Sequence, residues 1–299
     1  MNHFYRGAFL VFLSAAGFGL IPIFALYAYK GGANVNTLLF LRFTTAAIFF
    51  FILIMVKNIK FQLTRSHVLS LFILGSVLYT LQSNFYLSSV KFIPASLAVL
   101  LFYTYPVFVA LLSSLVIRET LSRQILASIA LSIIGLIMVL GDSFNNINPQ
   151  GIMLAFGSAL LYSFYIVLGN RVVQQLPALL TSAFITLFAS ISYLIMGIST
   201  SSIKLDLSAE AWVAVAGIVL FSTIMAILTF FRGIELIGST KASILSMIEP
   251  LVTIGFSALL FYERLSWIQL LGGVFVVLSS VYVVTAEVRR GVDKLTSET

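Results

Sequence analysis

YTYPVFVALLSSLVIRETLS (Tyr103–Ser122) and MIEPLVTIGFSALLFYERLS (Met247–Ser266) stand 144 positions apart and are two versions of one pattern. Each is an apolar run with a proline near its start, Pro106 in one and Pro250 in the other. Each closes on a polar turn, with Glu119 and Leu121 matched by Glu263 and Leu265. The same offset extends outward with almost no gap. Gly7 falls on Gly151, Thr37 on Thr181, Ala98 on Ala242, Phe18 on Tyr162 and Tyr86 on Phe230. Self-similarity at a fixed period marks a duplicated structural unit.

The composition says where that unit lives. Of 299 residues, 60% are hydrophobic and 9% charged, against roughly 25% charged in an ordinary soluble domain. Such a chain has too few polar groups to cover itself in water, and lipid is its natural solvent. A bilayer core of about 30 Å takes roughly 20 residues of helix. Apolar runs separated by Gly, Pro, Asn and charged residues predict ten spans, at 7–29, 36–56, 67–90, 94–117, 122–141, 150–170, 179–199, 209–234, 240–261 and 266–286. The first is too long for a signal-peptide core and is read as a retained helix. Ser122 and Ser266 are expected helix caps, and Pro94 suits a first helical turn. The expected fold is all-α, a polytopic membrane protein with one five-helix repeat in 1–146, a second in 147–288 and a polar tail at 289–299.

Five spans is an odd number, so the second unit must enter the membrane upside down relative to the first. Inverted repeats give many transporters two related conformations, with the binding site at the midplane between the halves. Putting both termini in the cytoplasm places Arg6, Lys57, Lys60, Arg65, Arg118, Arg123, Arg171, Arg232, Lys241 and the basic tail inside. Only Lys30, Lys91, Lys204 and Arg264 then lie outside. That is the bias of the positive-inside rule, and the short loops suit a bacterial inner membrane. The net charge of +7 is spread between spans and forms no basic stripe, so nucleic acid is not an expected partner. There is no cysteine, and the two histidines, His3 and His67, sit near span ends. No metal or other cofactor is expected.

The quoted motifs resemble the drug/metabolite transporter superfamily, and within it the EamA family. The wider stretches are ASLAVLLFYTYPVFVALLSSLVIRETLSRQ and GSTKASILSMIEPLVTIGFSALLFYERLSWIQLLGG, the latter with the Glu249-Pro250 pair typical of that family's fourth span. The resemblance covers nearly the whole chain. It departs at the aromatic-Gly motif of each unit's first span, where Phe18-Gly19 and Tyr162-Ser163 stand in place of the frequent Trp. It implies a ten-helix transporter, most members exporting amino acids and related metabolites, and it specifies scaffold better than substrate.

The residues suggest where a site lies. Glu249 is the acidic residue expected near the middle of a span, where a charge costs about 2.5–3.5 kcal/mol on insertion scales and so faces protein or water. It can pair with a substrate ammonium, take a coupling proton, or simply fix helix packing. Pro106 and Pro250 deprive the carbonyls of Phe102 and Ser246 of their helical N–H partners. Those carbonyls could accept from a substrate amine, or the prolines could serve only as bends, with Pro22 a third. Tyr79, Gln82, Ser83 and Tyr86 recur at i, i+3, i+4 and i+7, one polar-aromatic face of the third span. Tyr103 on the fourth span and Ser158, Tyr162 and Tyr165 on the sixth extend it, and Phe18 joins by the repeat. These rings either line a cavity or glue helices. Arg42 either meets a substrate carboxylate or caps backbone carbonyls; EamA members commonly have an Arg here, and it is taken as structural. Gly272-Gly273 permits close helix contact, within the chain or in a homodimer.

The expected function is a secondary transporter of small amphipathic metabolites, amino acids or related amines, by alternating access. Export is the expected direction and protons are a candidate coupling ion. The alternative is an intramembrane enzyme acting on a lipid-linked substrate, which would need a nucleophile–base pair, paired carboxylates or a metal. A channel selecting by charge would repeat that charge around an axis, and the sequence has no such ring.

Overall fold

The computed structural model describes residues 2–89, 92–93, 98, 101–116, 121–140, 148–261, 266–268, 270–279 and 281–282. Expectations placed on Lys91, Pro94, Glu119, Glu263 and the 289–299 tail lie outside them. Among the described residues every regular element is helical. Six helical stretches are long and apolar enough to cross a membrane: His3–Lys30, Val35–Val56, Arg65–Tyr86, Pro149–Val173, Ala178–Ser199 and Ala209–Ile237. Shorter apolar helices, Tyr105–Val116, Arg123–Met138 and Leu270–Ser279, accompany them.

The starts of these helices have local causes. Helix α3 (Val35–Val56) begins where the Asn34 side chain accepts the Thr37 N–H at 2.9 Å. Thr64 and His67 cap one another reciprocally at the start of α4 (Arg65–Phe72). The expected cap Ser122 accepts the Ile125 N–H at 3.3 Å, opening α7 (Arg123–Leu140). Asn148 caps α8 (Pro149–Val173), with Pro149 where its missing N–H is harmless. Helix α9 (Ala178–Ser199) follows, and Ser208 then caps α10 (Ala209–Val219).

The first span differs from its expected form. It starts at Asn2 rather than residue 7 and is interrupted at Leu20, giving α1 (Asn2–Gly19) and α2 (Ile21–Lys30). Pro22 lies in the first turn of α2. The Gly19 carbonyl, freed by the break, accepts the Thr253 hydroxyl at 2.8 Å.

Two further irregularities recur at overlapping positions of the repeat. The third helix of each unit widens into a π-helical segment, Ile73–Tyr79 before α5 (Thr80–Ser89) and Leu220–Met225 before α11 (Ala226–Ile237). In both, a threonine hydroxyl reaches the carbonyl five residues back, Thr80 to Gly75 at 3.4 Å and Thr223 to Ile218 at 2.9 Å. The fourth helix of each unit breaks just before its proline. A turn at Tyr103–Thr104 precedes Pro106 in α6 (Tyr105–Val116). A 3-10 turn at Ser246–Ile248 links α12 (Ser239–Leu245) to α13 (Glu249–Phe261) ahead of Pro250. Proline removes one helical N–H and crowds the carbonyl four residues earlier, so each break falls where the ladder is already cut.

The packing follows the repeat. Helix α1 lies along α11, and its repeat partner α8 lies along α5; α3 packs on α9, and α6 on α8 and α12. Gly272, in α14 (Leu270–Ser279), turns its carbonyl to Gly135 of α7, where a Cβ would stand 2.6 Å away. Gly273 sits near Leu251. The glycine pair is thus used inside one chain.

The link between α11 and α12 is a single residue, Gly238, at φ 82° and ψ 167°. That conformation is essentially reserved for glycine and costs other residues about 1–3 kcal/mol. Gly238→Ala is therefore expected to lower the melting temperature of the detergent-solubilised protein, by about 1–3 kcal/mol of stability. A melting curve unchanged from wild type would show that this link relaxes freely.

Candidate functional site

The helix breaks border a cavity of about 350 Å3 inside the bundle, and the first π-helical segment enters its wall at Tyr79. The third-span face expected from the sequence is in its wall, with Tyr79, Gln82, Ser83 and Tyr86 all lining it. Phe18, Pro22, Phe102, Tyr103, Tyr162, Tyr165, Glu249 and Pro250 line it too, so most of the predicted site residues meet in one place. The rings form a connected wall. Tyr162 stacks on Tyr165 at 5.6 Å between centroids, Tyr165 meets Tyr79 edge-on at 5.6 Å, and Phe102 touches both Tyr86 and Tyr162 at 5.3 Å. Phe18 closes against Phe230 at 6.2 Å.

Glu249 is the acidic side chain in this wall, placed by the first turn of α13. Tyr103 lines the same wall. Arg42 lines the same cavity and is 3% exposed. Its Nε donates to the Thr223 hydroxyl at 2.7 Å and one terminal nitrogen to the Ser222 carbonyl at 2.9 Å, both on the second π-helical segment. Arg42 therefore does cap a backbone carbonyl, as the structural reading held, and it also faces the cavity. It does not pair with Glu249; the ion pair among the described residues is Arg232–Glu235.

Three predicted residues are placed differently from the rest. Ser246 is not in the cavity wall: its hydroxyl bonds to the Ala242 carbonyl at 2.9 Å. Its carbonyl, expected to be stranded by Pro250, accepts the Glu249 N–H in the 3-10 turn. Ser158 is buried between helices, exchanging hydrogen bonds with Gln82 at 3.1 and 3.3 Å. Pro106 is buried behind the cavity and acts at the α6 break. The sequence reading did not single out Ile21, Ala25, Tyr29, Val35, Leu38, Leu39, Ile218, Ile227 or Thr253, which also line the wall. It also missed Tyr105, which the 144-residue offset places opposite Glu249 in the repeat. Tyr105 is 2% exposed, and its ring meets Tyr162 at 5.0 Å.

The cavity is asymmetric along the bundle. It reaches Tyr29, 40% exposed, and Val35, at the end where α2 hands over to α3. Toward the N-terminal end of α1 the helices close. There a Cβ on Gly169 would stand 2.7 Å from Phe231, Asn170 bonds to Ser239 at 3.4 Å, and Ser239 bonds to Ser113 at 2.7 Å. By the offset, Gly169 and Asn170 correspond to Ala25 and Leu26. Ala25 lines the cavity and Leu26 is exposed.

A polytopic helical membrane protein with two matched units around a solute-sized internal cavity is the class these features define. The chain belongs to the EamA-like transporter family, whose sequence profile matches it twice, over residues 5–141 and 149–285. It is 24% identical over 241 residues to an uncharacterized transporter, YyaM, of Bacillus subtilis, covering 78% of each chain. An uncharacterized transporter of Archaeoglobus fulgidus is 28% identical over 250 residues, covering 82% of this chain and 86% of its own. A probable amino-acid metabolite efflux pump of Salmonella typhimurium is 28% identical over 212 residues, covering 65% of this chain and 69% of its own. Among solved structures that share the fold, a crystal structure aligns with a TM-score of 0.81 at 17% identity, across 93% of this chain and 98% of that one.

Proposed function

We propose that the protein is a secondary transporter of small amphipathic metabolites bearing an amine, amino acids foremost, working by alternating access between two inverted five-helix units. The observation that carries this reading is Glu249, a carboxylate lining an aromatic cavity that is packed shut toward one end of the bundle. A carboxylate in a site sheltered from water holds an ammonium firmly, and tyrosine rings offer apolar surface and hydroxyls to the rest of the solute. The breaks before Pro106 and Pro250, and the π-helical segments, put irregular backbone at matched places in both units. Irregular backbone at membrane depth is tolerated where it is buried in protein or lines a cavity.

In this reading the chain has ten spans, repeat units at 1–146 and 147–288, and both termini in the cytoplasm of a bacterial cell. The packed end then faces the cytoplasm and the cavity reaches the outside. Export follows when a solute loaded from the cytoplasmic side is released through the Tyr29 end, with Glu249 as the group able to exchange it for a proton. The residues proposed to bind the solute all come from one chain, so a monomer can hold the site and a homodimer would hold two. The Salmonella relative's name points to the same solute class.

Counterflow in proteoliposomes with labelled amino acids, amines and nucleosides tests the reading. Saturable exchange of amino acids or amines is expected. A monodisperse, correctly inserted protein that moves no member of the panel would overturn it.

A further inference from the structure

The proposed transport reading leaves open whether a simple amine satisfies the site, and Arg42 bears on that choice. Its guanidinium has five N–H donors. Two are used, by Thr223 and the Ser222 carbonyl, and the other three make no hydrogen bond with the described residues. A cation 3% exposed to solvent, with donors unspent and set in a cavity wall, is a costly arrangement unless an acceptor arrives. The two bonds it does make hold the fork in place against α10 and its π-helical segment. A fixed, planar set of donors is what a carboxylate needs for two parallel hydrogen bonds.

We infer that Arg42 is the carboxylate-binding residue of the transport site, so that the solute is a zwitterion held by Arg42 at one group and Glu249 at the other. The two side chains share one cavity without pairing with each other, and the tyrosine wall between them receives the apolar remainder of the solute. This inference rests on the transport reading and narrows its substrate class.

The test compares three labelled compounds of one skeleton in the same proteoliposomes: a neutral amino acid, its decarboxylated amine and its deaminated acid. The wild type is expected to exchange the amino acid with at least about tenfold lower half-saturation than the amine, a ratio within reach of one bidentate charged contact. Arg42→Gln should erase that preference, weakening the amino acid about tenfold or more while the amine shifts less than about twofold. Thr223→Val removes the support of Arg42 but not its charge, and should keep the preference at reduced rate. Equal exchange of amine and amino acid by the wild type overturns the inference, and this arm needs no variant. A preference surviving in Arg42→Gln, or an equal loss of both solutes, overturns it as well. If none of the three moves while another panel member does, the carboxylate site falls and transport stands. If nothing moves, the transport reading itself has failed.

Discussion

Glu249→Gln is expected to weaken counterflow of amine-bearing solutes by about a hundredfold with the melting temperature unchanged. Truncating one partner of a buried, hydrogen-bonded charge pair typically costs about 2–5 kcal/mol, and each 1.4 kcal/mol is about tenfold in affinity. Glutamine keeps the size of the side chain, so the α13 start and the ring wall should survive. The loss should therefore appear in half-saturation for solutes with an ammonium and be absent for uncharged probes that enter the cavity. If Glu249 also exchanges solute for a proton, the residual activity should stop responding to an imposed pH gradient that drives the wild type. Retention of both affinity and gradient response within about twofold would reduce Glu249 to a packing residue at the Pro250 break.

Much of this arrangement was legible in the residues. The third-span face was read from its spacing alone, and it survives because regular helix resumes at Thr80, keeping Tyr79, Gln82, Ser83 and Tyr86 on one side. The helix breaks were legible through Pro22, Pro106 and Pro250, since proline acts locally. The π-helical segments were not. Nothing in ILGSVLY or LFSTIM departs from an ordinary apolar helix. Their widening is accompanied by distant contacts, such as Arg42 on Ser222 and Gly75 against the Ile185 carbonyl, where a Cβ would stand 2.6 Å away. Arg42 was read as a cap of backbone carbonyls, and it does bond the Ser222 carbonyl. Sequence can place a cation on a span, but what its two faces meet is decided by another helix 180 residues on. Ser246 was overread for a related reason. The argument from Pro250 counted a missing N–H four residues on and overlooked that a 3-10 turn brings in the N–H three residues on. Tyr105 was available from the repeat, because the position matching an intramembrane carboxylate is worth asking about even when it holds a different residue.

Joining Asn170→Cys to Ser239→Cys by a short thiol crosslinker is expected to abolish net transport, leaving about a tenth or less of wild-type flux, while solute still binds from the opposite side. Asn170 and Ser239 are hydrogen-bonded at 3.4 Å where the bundle is packed shut, so the bridge fixes contacts that already exist. The chain has no cysteine of its own, and the double variant carries the only reactive thiols. The physical argument is the mismatch between matched positions. Gly169 and Asn170 are packed against Phe231 and Ser239, whereas of their counterparts Ala25 lines the cavity and Leu26 is 40% exposed. Alternating access by inverted repeats exchanges the arrangements of the two units, so in the proposed cycle this packed end must open. A link at the packed end blocks the exchange without occupying the site. Binding retained, flux lost, and flux restored on reducing a cleavable linker would therefore separate a moving gate from a damaged fold. Undiminished flux through the crosslinked protein would mean that the 170–239 contact persists throughout the cycle, and the moving boundary would then have to lie elsewhere in the bundle.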